Sequence, residues 1–511
     1  MKLKLLFLPR YNADPNTGEK DGPLFFPPIG VSTLTSYLRS KDINVNQDDL
    51  AIKTVNKNQK KGEDIDLKKF FHHGRIHDFF KNQADPGLEE EAKKIANMTD
   101  LKGHDVVGFS LMPTDNPSTT GIALALAKII KERHDPTIIV GGSINTKSAT
   151  KKLLETDYID YKIGGQPSVS TGETNLLDFC RKYERGQEEN AWGLERIKDG
   201  KLKCNDEEYS DEKRQIVTTP DFEGLPIEMY RREMVDTVAG ERIKKKYLVL
   251  PYFFIRGCPN NCSFCVNSLF NLFGIKKPDE VVEDLKYLSN KYDTRYFLFH
   301  NTSVNPTYDY AEKLADKINE QNLDIRWSDC ANFNPMDEKL LEKLKRAGAR
   351  RLVFGCESGS PQILKFIDKN FRPHDAKKIL KKSEELGIWT ELDLICGFPY
   401  ESDSDTRATL QFLGDVKKYV QGCSINKFWI EGQFREHPKR YGITLKENKP
   451  GTHFNWGTTP YKEDYGLDWE ERVKKTEETF QKIRNYIDNN FRETPGIHDL
   501  FFITETRSER N

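Results

Sequence analysis

The feature that most constrains this chain is a rhythm that sets in at Tyr247. Short apolar runs at 247–256, 295–299, 324–329, 351–355, 390–396 and 426–431 are separated by amphipathic stretches such as 278–291, 308–321, 338–347, 376–386 and 405–419. In the first of these stretches Val281, Val282, Leu285 and Leu288 recur at helical spacing, so the segment buries one face. Strand followed by helix, repeated, demands a parallel sheet. Six such units predict a partial (β/α) barrel, whose functional residues belong at the carboxyl ends of the strands.

The same alternation, less regular, runs through the first 185 residues. Apolar runs at 2–9, 105–111, 137–140 and 158–163 are interleaved with helical spacing at 29–39, 121–133 and 146–155, which predicts a doubly wound, Rossmann-like parallel sheet. Ligands of such a sheet sit beyond the carboxyl ends of its strands. The candidate contacts there are Ser110, Met112 and Thr114, then Gly141 and Gly142, then Gly164 and Gln166. A tight turn is the competing reading of each Gly-Gly pair. Residues 51–100 are charged and read as an insertion; 186–246 lose the periodicity and read as a linker. The expected division is therefore an α/β chain with a sheet domain at 1–185, a linker at 186–246, a barrel at 247–434 and a mostly helical C-terminal region at 435–511.

A chain of 511 residues supports two or three domains. With a formal net charge of -1 and mixed charges, no global basic field points to nucleic acid, and no nucleic-acid partner is expected. The apolar run at the N-terminus is too short for a secretion signal, and no stretch reaches membrane-spanning length. Nine cysteines, an odd and sparse set, do not resemble a disulfide framework, so a reducing cytoplasm is expected.

Three of those cysteines stand apart. Cys258, Cys262 and Cys265 form a CxxxCxxC loop directly after the first barrel strand. Three thiolates on one loop suit three irons of a cubane cluster, which ordinarily takes four cysteines, and no fourth follows nearby. The free corner is then available to a substrate's amino and carboxylate groups. A structural zinc with one distant ligand is the alternative, although zinc sites usually come as two separated CxxC knuckles.

With this loop the chain resembles the radical S-adenosylmethionine (SAM) superfamily. The resemblance extends to Phe264 at the aromatic place inside the loop, to Gly355-Cys-Glu357-Ser-Gly-Ser360 at the fourth strand, and to Gly397-Phe-Pro399 after the fifth. It implies a four-iron, four-sulfur cluster on Cys258, Cys262 and Cys265, with SAM contacts from Phe264, Glu357, Ser358 and Gly397. At the second strand, where relatives often carry acidic residues, this chain reads His300-Asn301; both are candidate SAM contacts, and a satisfied strand-end histidine is the plain alternative for His300.

The N-terminal sheet looks like that of the subset preceded by a cobalamin-binding domain. The carriers are Phe26-Pro-Pro28-Ile-Gly30, Val107-Gly-Phe-Ser110, Val140-Gly-Gly142, Gly164-Gly-Gln166 and Thr219-Pro-Asp221-Phe-Glu-Gly-Leu-Pro226, in order. The DxHxxG string that places histidine on cobalt is absent, since Lys102-Gly-His104-Asp-Val-Val-Gly108 lacks the aspartate and the glycine at the needed offsets. The resemblance implies cobalamin without histidine ligation, and methyl transfer to an unactivated carbon or phosphorus centre of a small-molecule, lipid or peptide substrate. An electron donor such as flavodoxin or ferredoxin is implied with it. Rearrangement, cyclisation or ring contraction without methylation, and a metal-stabilised binding protein, are the alternatives. Aromatic residues at 429–456, among them Trp429, Phe434, Tyr441, His453, Phe454 and Trp456, are candidates to cap the barrel. Cys330, Cys356, Cys396 and Cys423 read as small buried residues.

Overall fold

A computed structural model describes residues 1–9, 25–59, 64–71, 73–81, 84–111, 117–142, 147–164, 171–206, 216–238, 241–269, 273–446 and 459–508. The chain divides into two compact units, Met1–Arg231 and Arg232–Asn511.

The first unit is built on β1 (Lys2–Phe7), β2 (Asn44–Asp49), β3 (Val106–Leu111), β4 (Thr137–Gly142), β5 (Tyr161–Ile163), β6 (Leu194–Lys198) and β7 (Lys201–Cys204), in the spatial order β2-β1-β3-β4-β5-β6-β7. The first five strands are parallel, and the order 2-1-3-4-5 is the flavodoxin-like form of the doubly wound sheet. Strand β2, Asn-Val-Asn-Gln-Asp-Asp, escapes a reading by apolar runs because its outer positions are polar. Its pairing with β1 and the burial of Val45 hold it in the sheet. One apolar core gathers Leu6, Val107, Phe109 and Val140, while a second on the other face gathers Leu3, Leu5, Val31 and Phe179. Two buried faces are what a parallel sheet requires.

Residues 51–100 are not a detached insertion. They form helices Leu50–Asn58, His73–Phe80 and Pro86–Ala96 between β2 and β3, and Leu88, Ala92 and Ile95 join the first core. Most of the 186–246 segment, as far as Arg231, also belongs to this unit. β6 and β7 add an antiparallel hairpin to its edge, and Asp221 pairs with Arg39 at 2.5 Å while Phe222 is fully buried. The rest, Arg232–Val238 (β8) and Glu241–Tyr247 (β9), is a hairpin of the second unit.

The second unit continues with β10 (Val249–Tyr252), β11 (Ile255–Gly257), β12 (Phe273–Ile275), β13 (Tyr296–Phe299), β14 (Arg326–Ala331), β15 (Ala349–Glu357), β16 (Trp389–Cys396), β17 (Gly422–Lys427), β18 (Ile443–Leu445) and β19 (Tyr461–Glu463). Strands β10-β13-β14-β15-β16-β17 form one all-parallel, six-stranded open sheet, the partial barrel. The first apolar run is interrupted: β10 pairs with β13, whereas β11 turns away to pair antiparallel with β12. The last strand starts four residues earlier than its apolar run, at Gly422. A helix, Ile497–Ser508, closes the unit. Its Glu505 accepts hydrogen bonds from Tyr247 (3.0 Å) and Tyr296 (2.9 Å) and pairs with Arg295 (2.7 Å). Among the described residues no helix is long and apolar enough to cross a membrane.

Candidate functional site

The cysteine loop leaves β11 through Gly257, at φ +84°, and ends in the short 3-10 helix Val266–Leu269. Its shape is set by its own backbone. The Cys265 N–H donates to Cys262 O (3.0 Å), and the Ser268 N–H and hydroxyl both donate to Cys265 O (3.0 and 2.7 Å). Ser263 fastens it to the segment after helix Pro361–Phe366, through its N–H to Ile367 O (3.0 Å) and its hydroxyl to Asp368. Thr302 donates to Gly257 O (2.7 Å). On the other side Gln433 donates its N–H to Ser263 O (2.9 Å) and its amide to Ser268 O (3.1 Å). Gly432 makes that approach possible: at φ +57°, a Cβ there would stand 2.6 Å from Cys265 O.

All three thiols are free, with Cys262 buried and Cys258 and Cys265 half-buried. Burial pushes the Cys262 thiol up to about 11; the Lys369 ammonium pulls it the other way, and Cys265 and Cys258 raise it further. Cys265 is raised by burial and by Cys258. The three thiols thus share one electrostatic neighbourhood. Among the described residues no three His, Cys, Asp or Glu side chains converge as a ready-made single-ion site. By its chemistry the donor set fits a cluster: three thiols on a loop braced from both sides, with a cation beside one of them.

Cys262 and Lys369 line one pocket of about 170 Å³ together with Asn332, Phe333, Gly355 and Asp368. Lys369 is held in place by Glu357 (3.1 Å) and by Gly355 O (2.9 Å). Glu357 closes β15 at a bulge, where Cys356 is skipped in the register with β16 and Glu357 adopts φ +62°. Bulges of this kind re-aim a side chain. Burial raises Glu357 above its ordinary range, and Lys369 opposes that.

Asn301 is buried and makes three hydrogen bonds within the protein through its side chain. Its carbonyl oxygen accepts the Phe254 and Ile255 N–H groups (3.0 Å each), and its amide donates to Asp329 (2.7 Å). The residue expected to touch SAM therefore anchors the β10–β11 junction that launches the cysteine loop. Burial pushes Asp329 up to about 8 against the pull of Asn301 and the Cys330 N–H. His300 is exposed at the end of β13, its N–H donating to Tyr252 O (2.8 Å). Ser358 is buried, its hydroxyl shared with Thr409 (3.2 Å) and accepting from the Ser360 N–H (3.1 Å). Phe264 is half-buried, edge-on to Phe398 at 6.0 Å.

Gly397, at φ +89°, donates its N–H to Glu401, and a Cβ there would meet Thr476 at 2.4 Å. Burial pushes Glu401 up to about 7. Cys330 is exposed, unlike the buried Cys356 and Cys396. Phe434 and Tyr441 are stacked core residues, centroids 4.2 Å apart, while Trp429 is exposed; His453, Phe454 and Trp456 lie outside the described residues.

In the first unit the carboxyl ends of β1, β3 and β4 meet at Phe7, Ser110 and Gly141, which are aligned in register. Gly142, at φ +106°, lies so close to Leu111 O that a Cβ would stand at 2.1 Å, and a Cβ at Gly141 would stand 3.3 Å from Ile163 O. This is a ledge of bare backbone where a doubly wound sheet of this order takes its ligand. The Gly164 carbonyl accepts from Asn175 (2.6 Å). Met112, Thr114 and Gln166 lie outside the described residues. His104 precedes β3 at the opposite end of the sheet, so it is no cobalt ligand. Gly141 and Gly142 leave the end of β4 without side chains, which suits a ligand laid against backbone.

Sequence patterns missed Lys369, Asp329 and Gln433, because each acts through a partner distant in the chain. A lysine twelve residues after Glu357 carries no periodic signal. A glycine followed by glutamine, at 432–433, was the one visible hint of close approach.

Residues 252–413 match the family model of the radical SAM superfamily. An uncharacterized methyltransferase of Pyrococcus horikoshii is 26% identical over 337 residues, 64% of this chain and 68% of that protein. The anaerobic magnesium-protoporphyrin IX monomethyl ester cyclase of Rubrivivax gelatinosus is 24% identical over 299 residues, 56% of this chain and 51% of that protein. Among solved structures, the radical SAM methyltransferase TsrM of Kitasatospora setae with cobalamin and [4Fe-4S] cluster bound superposes with a TM-score of 0.60 at 16% identity, over 94% of this chain and 91% of that one.

Proposed function

Since this chain belongs to the radical SAM superfamily and has the architecture of its cobalamin-dependent members, we propose that it is a cobalamin-dependent radical SAM methyltransferase acting on an unactivated carbon or phosphorus centre. One observation carries the reading: a braced three-thiol loop at the mouth of the six-stranded sheet stands in the same chain as a flavodoxin-like sheet whose central strand β4 ends in two glycines, at the edge where such a sheet takes its ligand. When bound, the cluster supplies the electron that splits SAM and the corrinoid carries the methyl group.

The chain's own residues position and exclude water. Cys258, Cys262 and Cys265 would hold the cluster, which would supply a site for SAM. Asn301, Ser263 and Gln433 keep the loop from moving, and Phe264 stands beside it. Lys369 offers a buried cation on the Cys262 side, with Glu357 as its counter-ion. Ser110, Gly141 and Gly142 form the corrinoid ledge. The substrate is a small molecule, a lipid or a peptide, and a low-potential flavodoxin or ferredoxin supplies the electron. Nine free cysteines suit the cytoplasm.

A second reading, radical rearrangement or cyclisation without methylation, has one specific support in the similarity to a cyclase. Protein prepared without oxygen is expected to carry a corrinoid absorption spectrum and to cleave SAM to methionine and 5′-deoxyadenosine. A Cys258→Ala/Cys262→Ala/Cys265→Ala variant that kept its iron and its SAM cleavage would overturn the proposal.

A further inference from the structure

The inner face of the open barrel sheet carries a cation whose protein partners leave part of it unused. Side chains alternate across a strand. In β15 and β16, Leu352, Phe354, Leu392 and Leu394 are buried on one face, whereas Arg351, Val353, Asp393 and Ile395 on the other are only half-buried. Helix Ile497–Ser508 closes the base of that inner face, where its Leu500 and Phe501 pack with Tyr296, Leu298 and Trp389. Trp389 pairs in register with Arg351, so Arg351 lies at the floor.

Glu391 accepts from Trp389 Nε1 (2.7 Å) and from Arg351 Nη2 (2.5 Å), so each of its oxygens already has a donor. Among the described residues Glu391 is the one partner of the Arg351 guanidinium, and Arg351 Nε is buried without an acceptor. Such an unmet donor is destabilising and calls for a functional explanation. Nearby, Arg295 and Arg326 are matched by Asp324 and Glu505. Arg350, inserted where the register with β14 shifts, bonds to Ala349 O (3.0 Å) and forms no ion pair among the described residues. The floor therefore carries surplus positive charge. Two acids stand at the other end of the face. Glu357 is paired with Lys369 (3.1 Å); Asp393 accepts from Ser424 (2.5 Å) and is level with Gly355, which lines the pocket of Cys262 and lies about 13 Å along β15 from Arg351.

We infer that Arg351 is a specificity-determining residue whose unused N–H groups bind a carboxylate or phosphate of the substrate at the floor of the open barrel. This rests on the reading of the barrel as a radical SAM methyltransferase and narrows its substrate to an acid. A guanidinium offers planar, forked donors that fit either oxyanion, and Glu391, holding Nη2, fixes its orientation. With the acid held at the floor, the rest of the substrate extends toward the cysteine loop.

Cys330 reports on this space. It pairs with Val353, two residues on from Arg351 on the same face, which puts the Cys330 and Arg351 Cα atoms about 8 Å apart, and it is exposed. Reconstituted full-length protein is treated with an anionic (sulfonatoethyl) or a cationic (trimethylammonioethyl) methanethiosulfonate. Labelling of Cys330 is followed by peptide mass spectrometry, with the exposed Cys204 as reference. The preference of Cys330 for the anionic reagent is expected to be about fivefold greater in the wild type than in an Arg351→Gln/Glu391→Gln variant of equal iron content and thermal midpoint. Benzoate or phenyl phosphate is expected to slow this labelling in the wild type and not in the variant, and the one that acts at lower concentration identifies the oxyanion as carboxylate or phosphate. Equal reagent preference in the two proteins would overturn the assignment, as would protection that survives the double substitution. Where the variant loses iron or stability, the wild type decides by itself: no protection by either acid overturns the anchor. A wild-type chain that takes up no cluster defeats the site reading, whereas a normal cluster with Cys330 indifferent to both acids defeats the anchor alone.

Discussion

Replacing Asn301 by alanine separates two roles for one residue. As a SAM contact, Asn301 would affect SAM affinity and little else. As the anchor seen here, it satisfies two buried N–H groups at 3.0 Å and donates to a buried carboxylate at 2.7 Å. Each orphaned buried N–H costs about 1–3 kcal/mol, which brackets the loss at about 2–6 kcal/mol; water entering the hole recovers part of it, leaving about 3 kcal/mol. That is a large share of the 5–15 kcal/mol typical of a folded protein. Asp329 loses its donor as well and is expected to rise above its present value of about 8. The assay is denaturant unfolding of protein prepared without oxygen, alongside iron content after reconstitution and the KM for SAM. The expected outcome is a lower unfolding midpoint and reduced iron retention, with KM for SAM little changed in the fraction that keeps its cluster. Stability within about 0.5 kcal/mol of wild type combined with a raised KM would refute the anchor.

Gly432→Ala places a Cβ 2.6 Å from Cys265 O at φ +57°, so it should cost about 1–2 kcal/mol from backbone strain alone and speed iron loss, read by cluster absorbance over time. Arg472→Met strands the buried Glu463, now paired at 2.6 Å, and should cost about 3–5 kcal/mol in denaturant unfolding. Glu401 titrates near 7 in the folded chain instead of 4.5. The folded state therefore holds this proton more tightly, and stability should fall by about 3 kcal/mol between pH 4.5 and 7, then level off; Glu401→Gln should flatten that slope in pH-dependent unfolding. Gly142→Ala, whose Cβ would collide with Leu111 O and displace the end of β4, should lower corrinoid content while iron content is unchanged, measured on the same preparation.

Much of this architecture was legible because parallel sheets buried on both faces write themselves as apolar runs: five runs of the barrel each fall on one strand of the open sheet, and only the first is divided, between β10 and β11. Strand β2 was not, since Asn44, Asn46, Asp48 and Asp49 give it no such run, and pairing with β1 together with the burial of Val45 holds it. Residues 51–100 looked separable because their charges outnumber the few apolar residues that reach the core. At the site the cysteine spacing carried its chemistry openly, as any loop of close ligands must. The role of Asn301 did not, because a side-chain amide reads the same whether it faces a cofactor or two backbone N–H groups. Lys369 and Gln433 were hidden for a related reason: what matters about them is a contact made after the chain has folded.

The claim that two cofactors act together in one chain is tested most directly with SAM carrying a labelled methyl group. Protein prepared without oxygen, supplied with corrinoid and a low-potential reductant, is incubated with labelled SAM, and the bound corrinoid is separated and counted. The account predicts label in the corrinoid of the wild type, and none in a Gly142→Ala variant, whose added Cβ collides with Leu111 O and displaces the end of β4. Label that stays in SAM and methionine while 5′-deoxyadenosine accumulates would contradict methyl transfer and leave a radical SAM protein that rearranges its substrate.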